Sequence, residues 1–340
     1  MTNGHLMASE MAQQPDVLAQ LVDRAAQIRS MAAAAVPDDL AACVIVARGS
    51  SDHAALLGQY LLQAATGRPV ALASPSLHTL YRVPVDYRGV LVVGVSQSGA
   101  TEEIVEVISA LKAGRARTIA ITNDPTSPLA AVAGSVIDLG AGPELAVPAT
   151  KTVTATLLAF VLLAEGVSGR SLVPASALAD LAGHIADVLG DEASVERAAA
   201  RLADVSQLVS VARGYLLAAA RETALKLRET SGILAEGWSG ADLRHGPVAA
   251  IDARVPVLSL RAAGPAANDT ERLEAELAGR GAKVLRINDQ ADADLPLPAV
   301  PEPLANIGAV VRGQHLARLV SLRRGIDPDQ PLGLNKVTQS

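Results

Sequence analysis

The chain has 340 residues, a length that accommodates two domains, and a formal net charge of −6, so it lacks the clustered basic footprint of a nucleic-acid binder. Half of the residues are hydrophobic but only 2% are aromatic, so the apolar mass is Ala, Leu and Val, which suits helices packed on parallel strands. The single cysteine, Cys43, excludes an internal disulfide framework, and six scattered histidines without H-x-x-x-H or C-x-x-C spacing give no reason to expect a metal.

The N-terminus has no basic segment followed by an apolar one, so no signal peptide is expected and the chain reads as cytoplasmic. Residues 1–38 form an N-terminal helical segment punctuated by Pro15 and Pro37. A first domain over 39–170 shows short apolar runs at 43–47, 69–73, 90–95, 117–121 and 134–138, separated by helical patterns. This alternation predicts a five-stranded parallel sheet with helices on both faces. The apolar run Thr154–Ala164 is shorter than the roughly 18 residues of a spanning helix and contains two Thr, so it reads as a core helix, with no membrane partner. Val167–Pro174 reads as a linker and 175–202 as helical.

A second domain, 195–328, restarts the pattern. Strands are expected at 206–212, 255–260 and 283–287, and helices at 216–230, 268–279 and 304–324. Pro296, Pro298, Pro301 and Pro303 mark a stretched connection, and 329–340 is an irregular tail. The fold class is therefore α/β, two tandem parallel-sheet αβα sandwiches of flavodoxin-like type.

Two strand ends in the first domain carry hydroxyl-rich turns. Val90–Val95 runs into Ser96-Gln97-Ser98-Gly99-Ala100-Thr101 and then a helix; Cys43–Ala47 runs into Arg48-Gly49-Ser50-Ser51 and then another. Free N–H groups at a helix start, ringed by hydroxyls, make a phosphate cradle that needs no Lys or Arg. A turn that merely caps its helix would carry similar residues. Two such turns on one sheet edge fit a sugar phosphate better, and the G-x-G-x-x-G of a dinucleotide site is missing, so no cofactor is expected.

In the second domain, Glu222, Lys226 and Glu229 share the helix 216–230. Glu222 and Lys226, four apart, have the spacing of an ordinary surface pair; Glu229 shares a face with Lys226. The stretch Ala235–Pro247 reads as a loop holding the only Trp, three Gly and His245. A loop histidine beside a carboxylate helix is a place for acid–base work.

Five ordered motifs make the chain resemble the sugar isomerase (SIS) domain family, in particular the isomerase half of glucosamine-6-phosphate synthase and the stand-alone SIS-type amino-sugar-phosphate deaminases. They are Arg48-Gly-Ser-Ser51; Ser96–Thr101; Glu144-Leu-Ala-Val-Pro-Ala-Thr-Lys151; Leu225-Lys-Leu-Arg-Glu229 with Leu243-Arg-His-Gly-Pro247; and Asp329-Gln-Pro-Leu-Gly-Leu-Asn-Lys336. The resemblance implies that Ser96, Gln97, Ser98 and Thr101 hold a 6-phosphate, that Ser50 and Ser51 bind sugar hydroxyls, and that Val147 lines the pocket. It implies Glu229 as the base between C1 and C2, Lys226 as stabiliser of the enediol-like charge, and His245 as the ring opener, reaching in from the other subunit of a homodimer. Lys336 would approach the carbonyl and form a Schiff base, although a solvated lysine is the ordinary fate of one so near a chain end.

The chain departs from that pattern in places. It begins Met1-Thr2, where the synthases open on a cysteine-led glutaminase domain, so it is not expected to draw ammonia from glutamine. Ala149 stands where the family often has Ser, and Arg48 is closer to the deaminases. The implied reaction converts an amino-sugar 6-phosphate, glucosamine 6-phosphate, to fructose 6-phosphate and ammonia. The same base acting on N-acetylglucosamine 6-phosphate would instead expel the C3 hydroxyl, a dehydration. A third reading, from another class, is a non-catalytic phosphosugar sensor.

Overall fold

A computed structural model of the chain describes residues 3–331, 333, 334 and 336. Met1, Thr2, Leu332, Asn335 and residues 337–340, which include two positions of the tail motif, lie outside the described residues. Two compact units are present; Val17–Pro143 and Ala155–Pro174 belong to one, and Glu144–Thr154, Ala175–Lys336 and the residues up to Asp16 to the other.

The chain opens with three helices, α1 (His5–Ala12), α2 (Gln14–Asp23) and α3 (Ala25–Ala34). The first sheet then alternates β1 (Ala42–Val46), α4 (Ser50–Thr66), β2 (Val70–Leu72), α5 (Ser76–Thr79), β3 (Val90–Val95), α6 (Glu102–Ala113), β4 (Arg117–Thr122), α7 (Pro128–Val132) and β5 (Ser135–Asp138). All five strands are parallel, in the order β2-β1-β3-β4-β5. The Val- and Ile-rich runs are buried on both faces, as parallel sheets require. Val92, Ile104, Ile108 and Leu129 share one core cluster. Gly94 lets α6 approach β3: a Cβ there would lie 2.7 Å from Ile108 Cγ1.

Helix α8 (Lys151–Ser168) is 18 residues long and apolar enough to cross a membrane by length and composition. It extends well beyond its apolar run, but most of it is buried in the protein, as expected of a core helix. Its Phe160, the only Phe, sits where Gly58 of α4 leaves room; a Cβ on Gly58 would come within 2.4 Å of the ring.

The helical stretch after the linker is three helices rather than one, α9 (Ala175–Ala179), α10 (Leu181–Gly190) and α11 (Glu192–Leu202). Asp191 ends one and begins the next by accepting from Ser194 N at 3.2 Å. The second sheet follows as β6 (Gln207–Ala212), α12 (Leu217–Ser231), β7 (Leu234–Ser239), α13 (Gly240–Arg244), β8 (Val257–Leu260), α14 (Ala267–Gly279), β9 (Val284–Asn288) and β10 (Leu295–Pro296), and the long α15 (Glu302–Arg323) completes it. Its parallel order, β10-β9-β8-β6-β7, is the strand order of the first sheet over again.

Two strands were not expected. The segment Ala235–Pro247, read as a loop, begins inside β7 and continues as α13. β7 is an edge strand paired only with β6, and Leu-Ala-Glu-Gly-Trp-Ser lacks an apolar run because one side of it is half-exposed. Gly237 is required there, since a Cβ would meet the Arg221 backbone of α12 at 2.5 Å. The proline-rich connection holds β10, whose Pro296 is tolerated at a sheet edge.

Candidate functional site

In the first unit, β1 and β3 are neighbours, with Val46 opposite Gly94, so the turns that follow them lie side by side on the carboxyl edge. This is the switch point of the strand order, where open α/β sheets bind ligands. The Ser96–Thr101 turn is internally braced. Ser96 Oγ accepts from Gly99 N at 3.2 Å and lies 3.2 Å from Thr101 Oγ1; Ser98 Oγ accepts from Ala100 N at 3.3 Å. The β4 end pins it further, with Asn123 N donating to Gln97 O at 3.0 Å and Thr122 Oγ1 at 3.3 Å.

Gly99 has φ +61°, and a Cβ there would lie 2.0 Å from Ser127 Oγ, so both backbone and space require glycine. The first bond of α6 is Val105 N to Thr101 O, which leaves the N–H groups of the opening turn without helical acceptors at the loop. Ser50 and Ser51 open α4 after Gly49, at φ +60°. Arg48 links the two turns: its Nε and Nη2 each lie 2.9 Å from Glu103 Oε2, in the first turn of α6.

The second unit carries the charged groups. Glu222 and Lys226 do not form a surface pair: both side chains are 1% exposed, with Nζ 3.4 Å from Glu222 Oε1. The cause is packing, because α12 lies against α15, β6 and β7. Gly313 allows α15 to approach so closely that a Cβ would be 2.2 Å from Thr223 Oγ1. Lys226 Nζ also donates to Glu229 Oε2 at 2.5 Å, and Glu229, near the end of α12, retains 22% exposure. Burial works against the ammonium, but Glu222, Glu229 and Glu144 outweigh it and hold the Lys226 pKa above the ordinary lysine range. The ion is therefore a fixed positive charge beside a carboxylate that a ligand can reach.

Lys336 is not a solvated tail lysine. Its Nζ donates to Ala146 O at 2.6 Å and to Glu144 Oε2 at 3.1 Å. Val147, half-buried beside them, donates its N–H to Asp329 O of the tail at 3.2 Å. His245 is exposed just after α13 and, among the described residues, makes no hydrogen bond or ion pair with Glu229, Lys226 or Lys336. Its turn is fastened through Arg244, which pairs with Asp269 and Glu276 of α14 at 3.1 and 2.9 Å.

Two features were not anticipated. The motifs that contain Glu144 and Arg48 assign neither residue a role. The signal for Glu144 was a lone acid leading into an apolar helix with Thr150 and Thr152 nearby.

Comparison with known proteins places the fold in a family. The sequence matches the SIS domain over residues 42–166 and 201–299, segments that contain the first and second sheets. The chain belongs to the SIS domain family. It is 35% identical to glutamine–fructose-6-phosphate aminotransferase (isomerizing) of Gloeobacter violaceus, over 98% of this chain and 58% of that protein. The chain thus spans little more than half the length of that curated relative. The C-terminal domain of glucosamine-fructose-6-phosphate aminotransferase from Francisella tularensis has the same fold, with a TM-score of 0.83 at 23% identity, covering 96% of this chain and 98% of that one. So does glucosamine-6-phosphate deaminase from Thermotoga maritima, with a TM-score of 0.80 at 24% identity, covering 97% and 98%.

Proposed function

We propose that this SIS chain is a phosphosugar isomerase that acts on an amino-sugar 6-phosphate, converting glucosamine 6-phosphate and water to fructose 6-phosphate and ammonia. The observation that carries this reading is the Lys226–Glu229 pair: a reachable carboxylate 2.5 Å from a fully buried ammonium. Aldose–ketose interconversion needs a base for the C2 proton and a cation for the negative charge that develops when it leaves.

In this reading Ser96, Gln97, Ser98 and Thr101 bind the 6-phosphate, Ser50 and Ser51 the sugar hydroxyls, and Val147 the sugar. His245 assists ring opening. Glu229 takes the proton from C2 and returns it to C1, while Lys226 stabilises the intermediate charge. The resulting C2 imine exchanges its nitrogen for Lys336 and is hydrolysed, releasing ammonia. Among the described residues, His245 is exposed and bonds none of these groups within its own chain, so we assign it to the site of the other copy in a homodimer. Mixing Glu229→Gln with His245→Ala chains should then restore activity in hybrids, and no recovery despite verified exchange would place His245 in its own chain's chemistry.

The test of the reaction is a panel of hexosamine 6-phosphates with product NMR and an ammonia assay. Stoichiometric ammonia and fructose 6-phosphate from glucosamine 6-phosphate are expected. An unsaturated sugar from N-acetylglucosamine 6-phosphate, without ammonia, would replace deamination with dehydration.

A further inference from the structure

Glu144 has no part in the reading above, yet its geometry points at the tail. The side chain is fully buried. Its Oε1 accepts from Thr150 N at 2.9 Å and Thr152 N at 3.1 Å, which is ordinary capping at the start of α8. Its Oε2 is not spent on backbone. That oxygen accepts from Thr152 Oγ1 at 2.8 Å and from Lys336 Nζ at 3.1 Å. One oxygen therefore fixes the carboxylate, and the other is aimed at the lysine ammonium.

The tail that brings Lys336 there is anchored on its own account. Asp329 Oδ2 and Oδ1 accept from Leu6 N at 2.9 Å and Met7 N at 2.8 Å in α1. Asp327 Oδ1 accepts from Gly4 N at 2.9 Å. Glu10 of α1 accepts from Leu145 N and, at 3.2 Å, from Ala146 N, in the strand of chain whose Ala146 O receives Lys336. A capping carboxylate alone would need none of this apparatus.

We propose that Glu144 is the positioning residue of Lys336, holding its nitrogen in one place for addition to C2, which is the imine carbon in deamination and the carbonyl carbon of the ketose in the reverse direction. This rests on the reading that Lys336 forms a Schiff base. In that step Lys336 passes a proton to Glu144, and its nitrogen lone pair forms the N–C2 bond. The C2–O bond then breaks. Two of the three ammonium protons depart with the carbonyl oxygen as water, and the third remains on the iminium nitrogen.

The experiment is borohydride trapping of the protein with fructose 6-phosphate, read by peptide mass spectrometry, in the parent and in Glu144→Gln. The parent is expected to give a reduced adduct on Lys336. Glu144→Gln should trap about 10²-fold more slowly, the scale of a lost reacting geometry. Fructose 6-phosphate affinity should stay unchanged, which separates a lost reacting geometry from lost binding. Thr152→Val, which keeps the carboxylate but releases Oε2, should show a smaller loss. No adduct on Lys336 in the parent would sink the Schiff-base reading and this role with it. An adduct in the parent together with a parental trapping rate in Glu144→Gln would overturn the role of Glu144 alone. Should Glu144→Gln not fold, a parental trapping rate in Thr152→Val overturns it.

Discussion

The two sheets share a strand order but end their strands in different chemistry. β1 and β6 each run into Arg-Gly, with Gly49 at φ +60° and Gly214 at φ +61°. The next strand over ends differently. β3 leads into Ser-Gln-Ser-Gly-Ala-Thr, whereas β8 leads into Arg261-Ala-Ala-Gly. Around β8 the charges are already paired: Arg213 with Asp269 at 3.0 Å, Arg261 with Asp292 at 3.2 Å, and Arg286 with Glu274 at 2.9 Å. One edge presents hydroxyl and N–H donors, and the other pairs its guanidinium groups with carboxylates of its own unit. The second unit carries the partly exposed carboxylate of Glu229 on the helix α12 instead. Under the proposed function the same topology would serve binding in one copy and proton transfer in the other, with the side chains rather than the fold making the difference.

Both interiors hold ionisable groups, of different kinds. Cys43 is buried in the first sheet, where burial pushes its thiol up to about 11, so it is inert at neutral pH, and the same unit buries Glu165 against Arg29. The second unit buries Lys226, Arg312 and His315.

The largest expected effect tests the division of labour directly. Glu229→Gln should lower kcat by ~10²–10⁴-fold, the usual contribution of a general base, and leave phosphosugar affinity in place. A kcat near that of the parent would remove the second unit from the chemistry. Next is acid sensitivity. Burial, with Arg312 and Arg318 nearby, lowers the His315 pKa to about 4, against the partial opposition of Asp191 and Glu196. The folded state favours neutral imidazole, so this stability is complete above the ordinary histidine pKa and is lost as pH falls toward 4. The loss should reach about 3 kcal/mol, the free-energy equivalent of the shift. Urea unfolding between pH 7 and 4 should therefore be steeper in the parent than in His315→Leu; equal slopes would refute the assignment.

A paired glycine substitution sharpens the contrast between edges. Gly99→Ala should weaken glucosamine 6-phosphate binding by tenfold or more, roughly, because Ser127 Oγ stands 2.0 Å from the new Cβ and the turn must move. Gly214→Ala meets nothing closer than 3.5 Å, so it should cost only the ~1–2 kcal/mol of its backbone conformation and spare affinity. Calorimetric titration of both proteins reads the difference; equal losses would erase the distinction. The smallest effect is expected of Ser98→Ala, about fivefold in affinity for one neutral hydrogen bond. The same substitution should leave binding of unphosphorylated glucosamine unchanged.

Much of this was legible in the chain. The first sheet's strands announce themselves because they are buried on both faces, and the two hydroxyl turns follow from where those strands stop. β7 was hidden because an edge strand with Glu236 and Gly237 has no periodic apolar signature. The burial of Lys226 was hidden because the spacing of Glu222, Lys226 and Glu229 is the same on a surface helix and an interior one. Only the approach of α15, through Gly313, decides between them. The Glu144–Lys336 contact spans 192 residues, and no local pattern in either segment names the other.

The most direct test of the central claim is proton NMR of glucosamine 6-phosphate with the purified protein in deuterated water. Loss of the C2 proton signal, growth of fructose 6-phosphate and one equivalent of ammonia are expected, all abolished in Glu229→Gln. A protein that binds glucosamine 6-phosphate while its C2 proton stays in place and no ammonia appears would be a phosphosugar sensor, and the catalytic assignment would be wrong.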